Sequence, residues 1–318
     1  MANPIHNDEK LTVAFYNLEN LFDTIDDKHT NDNDFLPTSR KRWTQKRYDR
    51  KLYKLGTAIS KIGHLQTDKL PVIVGLAEVE NRQVIEDLLA TKDLEGTNYG
   101  IVHYDSADER GIDVGLIYNE DYFSVESSET FSVYLEDDDG SRDYTRDILL
   151  VSGQLLNEKV HVIVNHWSSR RDGKDETSHK RMAAAKEVVE AIVQLRNSEE
   201  DPKIIVMGDF NDNPDNESIK YLVTNGNLFN PMDTVWSYDK GSQNHDFKWN
   251  LFDQILVSAN FLNADVEQLR FSEADVFNEK FLTQYKGKYK GQPFRTFVGK
   301  KYKGGYSDHF PVYIILKT

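Results

Sequence analysis

Two almost uninterrupted apolar runs do most to narrow the folds open to this chain. Residues 70–77 (LPVIVGLA) and 203–207 (KIIVM) show no apolar–polar alternation. Strands of that kind are buried on both faces, so each must lie in a sheet covered on both sides. Residues 11–16 (LTVAFY) alternate instead, as a half-buried strand does. Residues 99–104, 112–118, 148–156 and 160–164 also predict strands, as do 254–257 and 311–316 near the end. Residues 43–62 set Trp43, Leu52, Leu55, Ile59 and Ile62 at helical spacing. A short helix is predicted over 84–90 and a longer one over 179–195. Asn213-Pro214 reads as an N-cap followed by proline at the first helical position. Residues 23–38 read as a polar loop, and the acidic run 136–139 before Gly140 as a solvated hairpin turn. Several strands follow one another without a helix between them, which a doubly wound fold would not show. No linker, repeat or low-complexity tract divides the chain. The expectation is one domain over 1–318, α/β or α+β in class, with mixed sheets.

Composition closes other doors. The 318 residues carry 39 basic and 53 acidic side chains, a net charge of −14 with histidine neutral. That balance argues against a protein that coats nucleic acid by bulk charge, though not against a local basic groove. With no cysteine, thiolate metal sites, disulfides and cysteine nucleophiles are excluded. No stretch approaches the ~20 apolar residues of a membrane helix. Residues 1–10 lack the apolar core of a signal peptide. A cytoplasmic, soluble monomer is expected; export remains the alternative if the chain is a processed or truncated form.

Polar groups recur where apolar strands stop. Asn17 and Glu19 end the first strand, Glu78 follows PVIVGLA, and Asn165-His166 end VHVIV. Asp209 and Asn211 follow IIVMG, Asp253 enters FDQILV, and Ser307-Asp308-His309 precedes the last strand. Strand ends are where α/β sheets present their sites, because the strand fixes the side chain while the loop leaves it accessible. Each residue alone has a plainer reading as a turn residue, an N-cap or a structural histidine. Together, several acids and amides with two histidines compose a hard-cation phosphoryl site.

The segments NLEN (17–20), GLAEVEN (75–81), ERGIDVGLIY (109–118), VNHW (164–167), GDFND (208–212), FDQILVS (252–258) and YSDHFPV (306–312) fall in a telling order. The chain resembles the endonuclease/exonuclease/phosphatase family, whose fold is DNase I-like. NLENLFD, NHWSSR and GGYSDHFPV bring it near a bacterial, Bacteroidetes-type branch similar to predicted extracellular nucleases. The resemblance implies a four-layer α/β sandwich, two mixed sheets face to face with helices outside. It implies a phosphoesterase dependent on Mg²⁺ or Mn²⁺. By the same resemblance, Glu78 is the principal metal carboxylate, and Asn17 supports the site from the first strand. Asp209 and Asn211 orient water and hold the phosphate. Asp308 and His309 form the terminal Asp-His, Asp253 pairs with that histidine, and His166 is the second histidine. Glu19 stands where many members have an Asp, which makes it a third metal candidate beside Glu78 and Asp308. Tyr16 stands where the family usually has tryptophan.

The chemistry suits those residue types. A divalent cation neutralises an anionic phosphodiester, and one or two carboxylates suffice to hold Mg²⁺. Asp209 is the candidate base for in-line water attack. An imidazolium at His309 answers charge growing on a phosphoryl oxygen. His166 is a candidate for the same work, or for protonating the leaving oxygen. Two basic stretches offer substrate grip. Residues 40–51 also read as the solvated face of a helix. Residues 280–303 interleave Lys286, Lys288, Lys290 and Arg295 with aromatics beside Asp308. Arg110, Arg170 and Arg171 are further candidates for phosphate contact. A nucleic-acid phosphodiesterase leads, ahead of a phosphatase or phosphodiesterase for a small molecule or lipid headgroup. A binding module that has lost catalysis comes last.

Overall fold

A computed structural model describes residues 9–318 apart from 29, 138, 172, 266 and 267. Most of the 1–10 segment, and Asp138 within the acidic run, lie outside the described residues. Twelve strands form two six-stranded sheets. They are β1 (Lys10–Leu21), β2 (Ile73–Val79), β3 (Tyr99–His103), β4 (Asp113–Asn119), β5 (Phe123–Phe131), β6 (Ile148–Leu155), β7 (Glu158–His166), β8 (Lys203–Asp209), β9 (Leu228–Phe229), β10 (Asp253–Ser258), β11 (Arg270–Val276) and β12 (Val312–Lys317). The first sheet runs β11-β12-β1-β2-β4-β3 and the second β9-β10-β8-β7-β6-β5. The principal helices are α1 (Gln45–Ile59), α2 (Arg82–Leu89), α3 (Ser178–Ser198) and α4 (Glu217–Asn225). This is the expected mixed architecture of the DNase I-like fold.

Each sheet has one parallel pair at its centre, β1/β2 and β7/β8. A parallel pair needs a crossover, and α1 and α3 supply them. Both strands of each pair therefore end at the same edge. The neighbours β12 and β10 run antiparallel to β1 and β8, so they begin at that edge. Six strand ends and beginnings thus meet at the rim where the polar residues fall.

The side-chain period of two sorts the core. Val162, Val164, Ile205, Met207 and Ile255 pack into the cluster shared with the first sheet. Ile163, Ile204, Val206 and Leu256 point the other way, beneath Ala185, Val188 and Ile192 of α3 and Leu222 of α4. Each fully buried aliphatic side chain stabilises the fold by roughly 1.5–3 kcal/mol. The sheets approach closely at Gly75, where a Cβ would stand 2.5 Å from Met207 Sδ.

Three elements differ from expectation. β5 (FSVESSETF) and β11 (RFSEADV) are edge or near-edge strands with polar, exposed positions, so alternation does not mark them. Asn213-Pro214 opens a turn, not a helix. Asn216 N donates to Asn213 O at 2.9 Å, its Oδ1 accepts from Asn213 N at 2.7 Å, and α4 begins one residue later at Glu217. The acidic run does lie in a hairpin, between the pairs Leu135–Asp143 and Glu136–Arg142.

Glu80, just past β2, is buried and accepts a hydrogen bond from Asp23 N at 2.6 Å. Burial, then the like charges of Asp23, Asp32 and Asp27, push its carboxyl up to about 8, against the pull of that bond. The folded state therefore holds a proton that the unfolded state releases, and stability falls as pH rises from the ordinary carboxylate range to about 8. Glu80→Gln is expected to stabilise the fold by about 1–3 kcal/mol at pH 8.5. It should change little at pH 5. Urea titrations at both pH values measure the difference; equal effects at the two would contradict it.

Candidate active site

Two bulges aim the first group of side chains. The β1/β2 register shifts between Asn17 and Leu21, and Glu19 and Asn20 take φ of 51° and 54°. The β2/β4 register shifts between Ala77 and Val79, with Glu78 at φ 60°. Such bulges re-aim a side chain at a sheet rim, and left-handed non-glycine residues gather at functional sites. The backbone of Asn20 donates to Glu78 Oε2 at 2.7 Å, which ties the two bulges together. Glu78 Oε1 then lies 3.8 Å from His166 Nε2.

Asp209 sits at the centre. β-ladder pairing puts it directly opposite His166 on one side and Asp253 on the other. Its Oδ2 accepts from Asn17 Nδ2 at 3.0 Å and its Oδ1 from Asn211 N at 2.9 Å. His309 Nδ1 donates to Asp253 Oδ2 at 2.6 Å, and its Nε2 lies 3.9 Å from Asp209 Oδ2. Burial alone would strip the proton from His309, but Asp253, Asp209 and Asp308 outweigh it and hold the imidazole well above its usual range. His309 is therefore a cation at neutral pH. Burial raises Asp209 to about 7 despite the imidazolium beside it, so its carboxyl is poised between acid and base. His166 goes the other way. Burial, then the cations Arg146, Arg110 and His309, keep it neutral, and its Nδ1 is buried without a hydrogen-bond partner among the described residues.

These residues meet in an open cleft of about 550 Å³. Glu78, His166, Asp209, Asn211, Asp308 and His309 line it. Asn17 and the fully buried Asp253 stand behind that surface. Arg110, Arg170 and Arg171 also line it. Arg110 is held by Asn20 Oδ1 at 2.9 Å. Arg170 is tied to Asn211 O and to Asp212, so much of its guanidinium is committed to the wall. Arg295 pairs with Asp308 and lines a neighbouring pocket instead. Burial pushes Asp308 up, but His309 and Arg295 prevail and hold it below the usual carboxylate range.

Glu19 is not brought to the cleft surface. Its carboxylate accepts from the backbone N–H groups of Thr296 and Phe297 and faces Lys51 Nζ at 3.9 Å. Lys51, from the first basic stretch, is 1% exposed and donates to Glu19 O, Thr296 Oγ1 and Tyr306 O. This pair braces the segment that carries Asp308. Sequence reasoning missed three contributors. Asn20 was visible within NLEN. Arg146, which props His166 O at 3.2 Å and Trp167 O at 2.8 Å, had no signal. A hairpin over 243–250 brings His245 and Lys248 to the cleft from a stretch without a strand pattern.

The donor set fits a hard cation. Glu78 and Asp308 present carboxylate oxygens to the cleft, and the chain has no sulfur donor except methionine. Asp209, Asp253 and His309 also offer ligand atoms within 4.8 Å of one another. That trio is already satisfied as an imidazolium between two carboxylates. His103, Asp105 and Asp113 form a second group within the same limit, none of which lines the cleft. Among the described residues no helix is long and apolar enough to cross a membrane.

A fold of two packed mixed sheets, with acids, amides and a charged histidine at one rim, defines a phosphoester hydrolase. The sequence matches the Endonuclease/Exonuclease/phosphatase family over residues 12–318, and the chain belongs to that family. Solved structures resemble it as well, among them the following three. One is a family protein of Bacteroides thetaiotaomicron, 19% identical, covering 98% of this chain and 99% of that one, TM-score 0.61. Another is the mannosyl-6-phosphatase Bt3783 of the same organism, 19% identical, covering 96% and 99%, TM-score 0.59. The third is TDP2 from C. elegans, 13% identical, covering 97% and 75%, TM-score 0.59. At these identities the likeness speaks for the fold. No curated protein matches in sequence.

Proposed function

We propose that this enzyme hydrolyses phosphodiester bonds of nucleic acid with the help of Mg²⁺ or Mn²⁺. The observation that carries the substrate class is the shape of the site. The catalytic cleft shares His245, Asp246 and Asp308 with a second pocket of about 290 Å³, rimmed by Lys288 and Tyr289. A path longer than one phosphate, with basic and aromatic groups along it, suits a strand. Glu78 and Asp308 would hold the cation, which would supply charge neutralisation at the phosphate. The remaining work falls to this chain's residues. Asp209, oriented by Asn17 and the Asn211 backbone, takes the proton of the attacking water. His309, held by Asp253, directs positive charge toward the phosphoryl oxygen. Arg110 and Arg171 steady the substrate phosphates, and neutral His166 stands beside Glu78 as a hydrogen-bonding group.

One observation favours a rival, a small-molecule phosphatase: the net charge of −14 opposes long polyanions away from the cleft. A panel separates them, with plasmid, single-stranded DNA, RNA, bis-p-nitrophenyl phosphate and p-nitrophenyl phosphate, each with Mg²⁺, Mn²⁺ and chelator. Cleavage of a nucleic acid supports the proposal. Turnover of the monoester alone moves the assignment to a phosphatase.

The exposed loop tip gives a further check. Lys286, Lys288 and Lys290 lie exposed between residues 283 and 293, which bridge one another. Neutralising all three should raise KM for DNA or RNA about tenfold at low salt and leave kcat nearly unchanged. The effect should shrink as salt rises. Unchanged kinetics on every substrate would place those lysines in solvent only.

A further inference from the structure

The hairpin above the cleft has an unexpected residue at its tip. Gln243–His245 pairs with Lys248–Asn250, and His245 faces Lys248 across the last rung. Asp246 and Phe247 make the turn, with φ of 47° and 62°. Positive φ at both central residues is the type I′ geometry, which Asn-Gly or Asp-Gly fills without strain. For a phenylalanine that backbone is disfavoured, because its Cβ crowds the carbonyl oxygen. Burial offers little compensation, since Phe247 is 56% exposed. Its ring lies parallel to that of Tyr289, with centroids 5.6 Å apart and planes within 5°. Tyr289 is itself 40% exposed, and Lys288 Nζ stands 4.7 Å from the centre of its ring. Both rings line the second pocket, and Asp308 is part of the wall it shares with the catalytic cleft. A strained backbone that holds an exposed ring beside a reaction centre points to function over folding.

We propose that Phe247 and Tyr289 form a stacking platform for the base of the nucleotide next to the scissile phosphate, with Lys288 facing the phosphate beyond it. This assignment rests on the nuclease reading above. A base has a π-face whatever its identity, so the platform gives grip without sequence preference. It also sets the distance from the gripped base to the phosphate that reaches Asp209 and His309.

The test is a thymidine oligonucleotide carrying one abasic tetrahydrofuran residue, with cleavage read at every phosphate on a sequencing gel. Wild-type enzyme should cut next to the abasic position about tenfold more slowly than elsewhere, the scale of one base–aromatic stack. Phe247→Gly relaxes the turn to Asp-Gly and removes the platform, so the dip next to the abasic position should vanish. Tyr289→Ala, on the other loop, should flatten the same profile and covers the case of a misfolded glycine variant. A wild-type profile without the dip overturns the platform, as does a dip that persists in both variants. Failure of the wild type to cut any oligonucleotide instead overturns the nuclease reading, and the platform with it.

Discussion

Asp209→Asn is expected to lower kcat by at least about 100-fold while the protein remains folded, because a positioned general base contributes on the order of 10²–10⁴. The substitution is nearly isosteric. The retained amide oxygen still accepts from Asn17 Nδ2 or from Asn211 N, the two donors that orient the carboxylate. What disappears is the proton acceptor that burial holds near 7. Glu78→Ala should cost as much, since it empties one wall of the cleft of its carboxylate. His309 calls for more care. Alanine there strands Asp253, which is fully buried and has no other side-chain partner for its Oδ2 among the described residues. Leaving a buried charge unpaired costs about 3–5 kcal/mol. His309→Gln keeps a donor toward Asp253 and separates the loss of rate from the loss of fold. Steady-state kinetics with melting curves measure both. Near wild-type turnover in a folded Asp209→Asn or Glu78→Ala variant would remove that residue from the mechanism.

The parts of the fold legible in the sequence were those where burial imposes a pattern. Residues 70–77 and 203–207 had to be strands buried on both faces, and β2 and β8 overlap them. The rim was legible too, since Glu78, His166, Asp209 and Asp308 each interrupt or adjoin an apolar strand run, and all four line one cleft. Edge strands were not legible. β5 presents Glu126, Ser127, Glu129 and their neighbours to solvent, so no alternation survives in its sequence. Side-chain direction after a bulge was equally hidden. Glu19 shares a tetrapeptide with Asn17, yet the left-handed backbone at Glu19 and Asn20 turns its carboxylate toward Thr296 and Phe297. Contacts made across long loops, such as Arg146 to His166 O or the 243–250 hairpin over the cleft, depend on tertiary packing that no local pattern encodes.

Removal of divalent cations is expected to have the largest effect of all. Asp308 is held ionised by His309 and Arg295, and Glu78 is fixed by the Asn20 backbone, so two oriented oxygen donors face the substrate cleft. Such a pair is the usual holding for Mg²⁺, which keeps most of its waters and needs few protein ligands. Without the cation those carboxylates would repel an anionic phosphodiester, and the rate should fall below detection. Glu78→Gln should weaken metal dependence as well as rate, shifting the activating Mg²⁺ or Mn²⁺ concentration upward. The most direct test of the whole account is hydrolysis of a phosphodiester before chelation, after exhaustive chelation, and after metal is restored. The account predicts loss of turnover in EDTA and its recovery with Mg²⁺ or Mn²⁺. Full activity in the chelated enzyme, with no response to either ion, would contradict it.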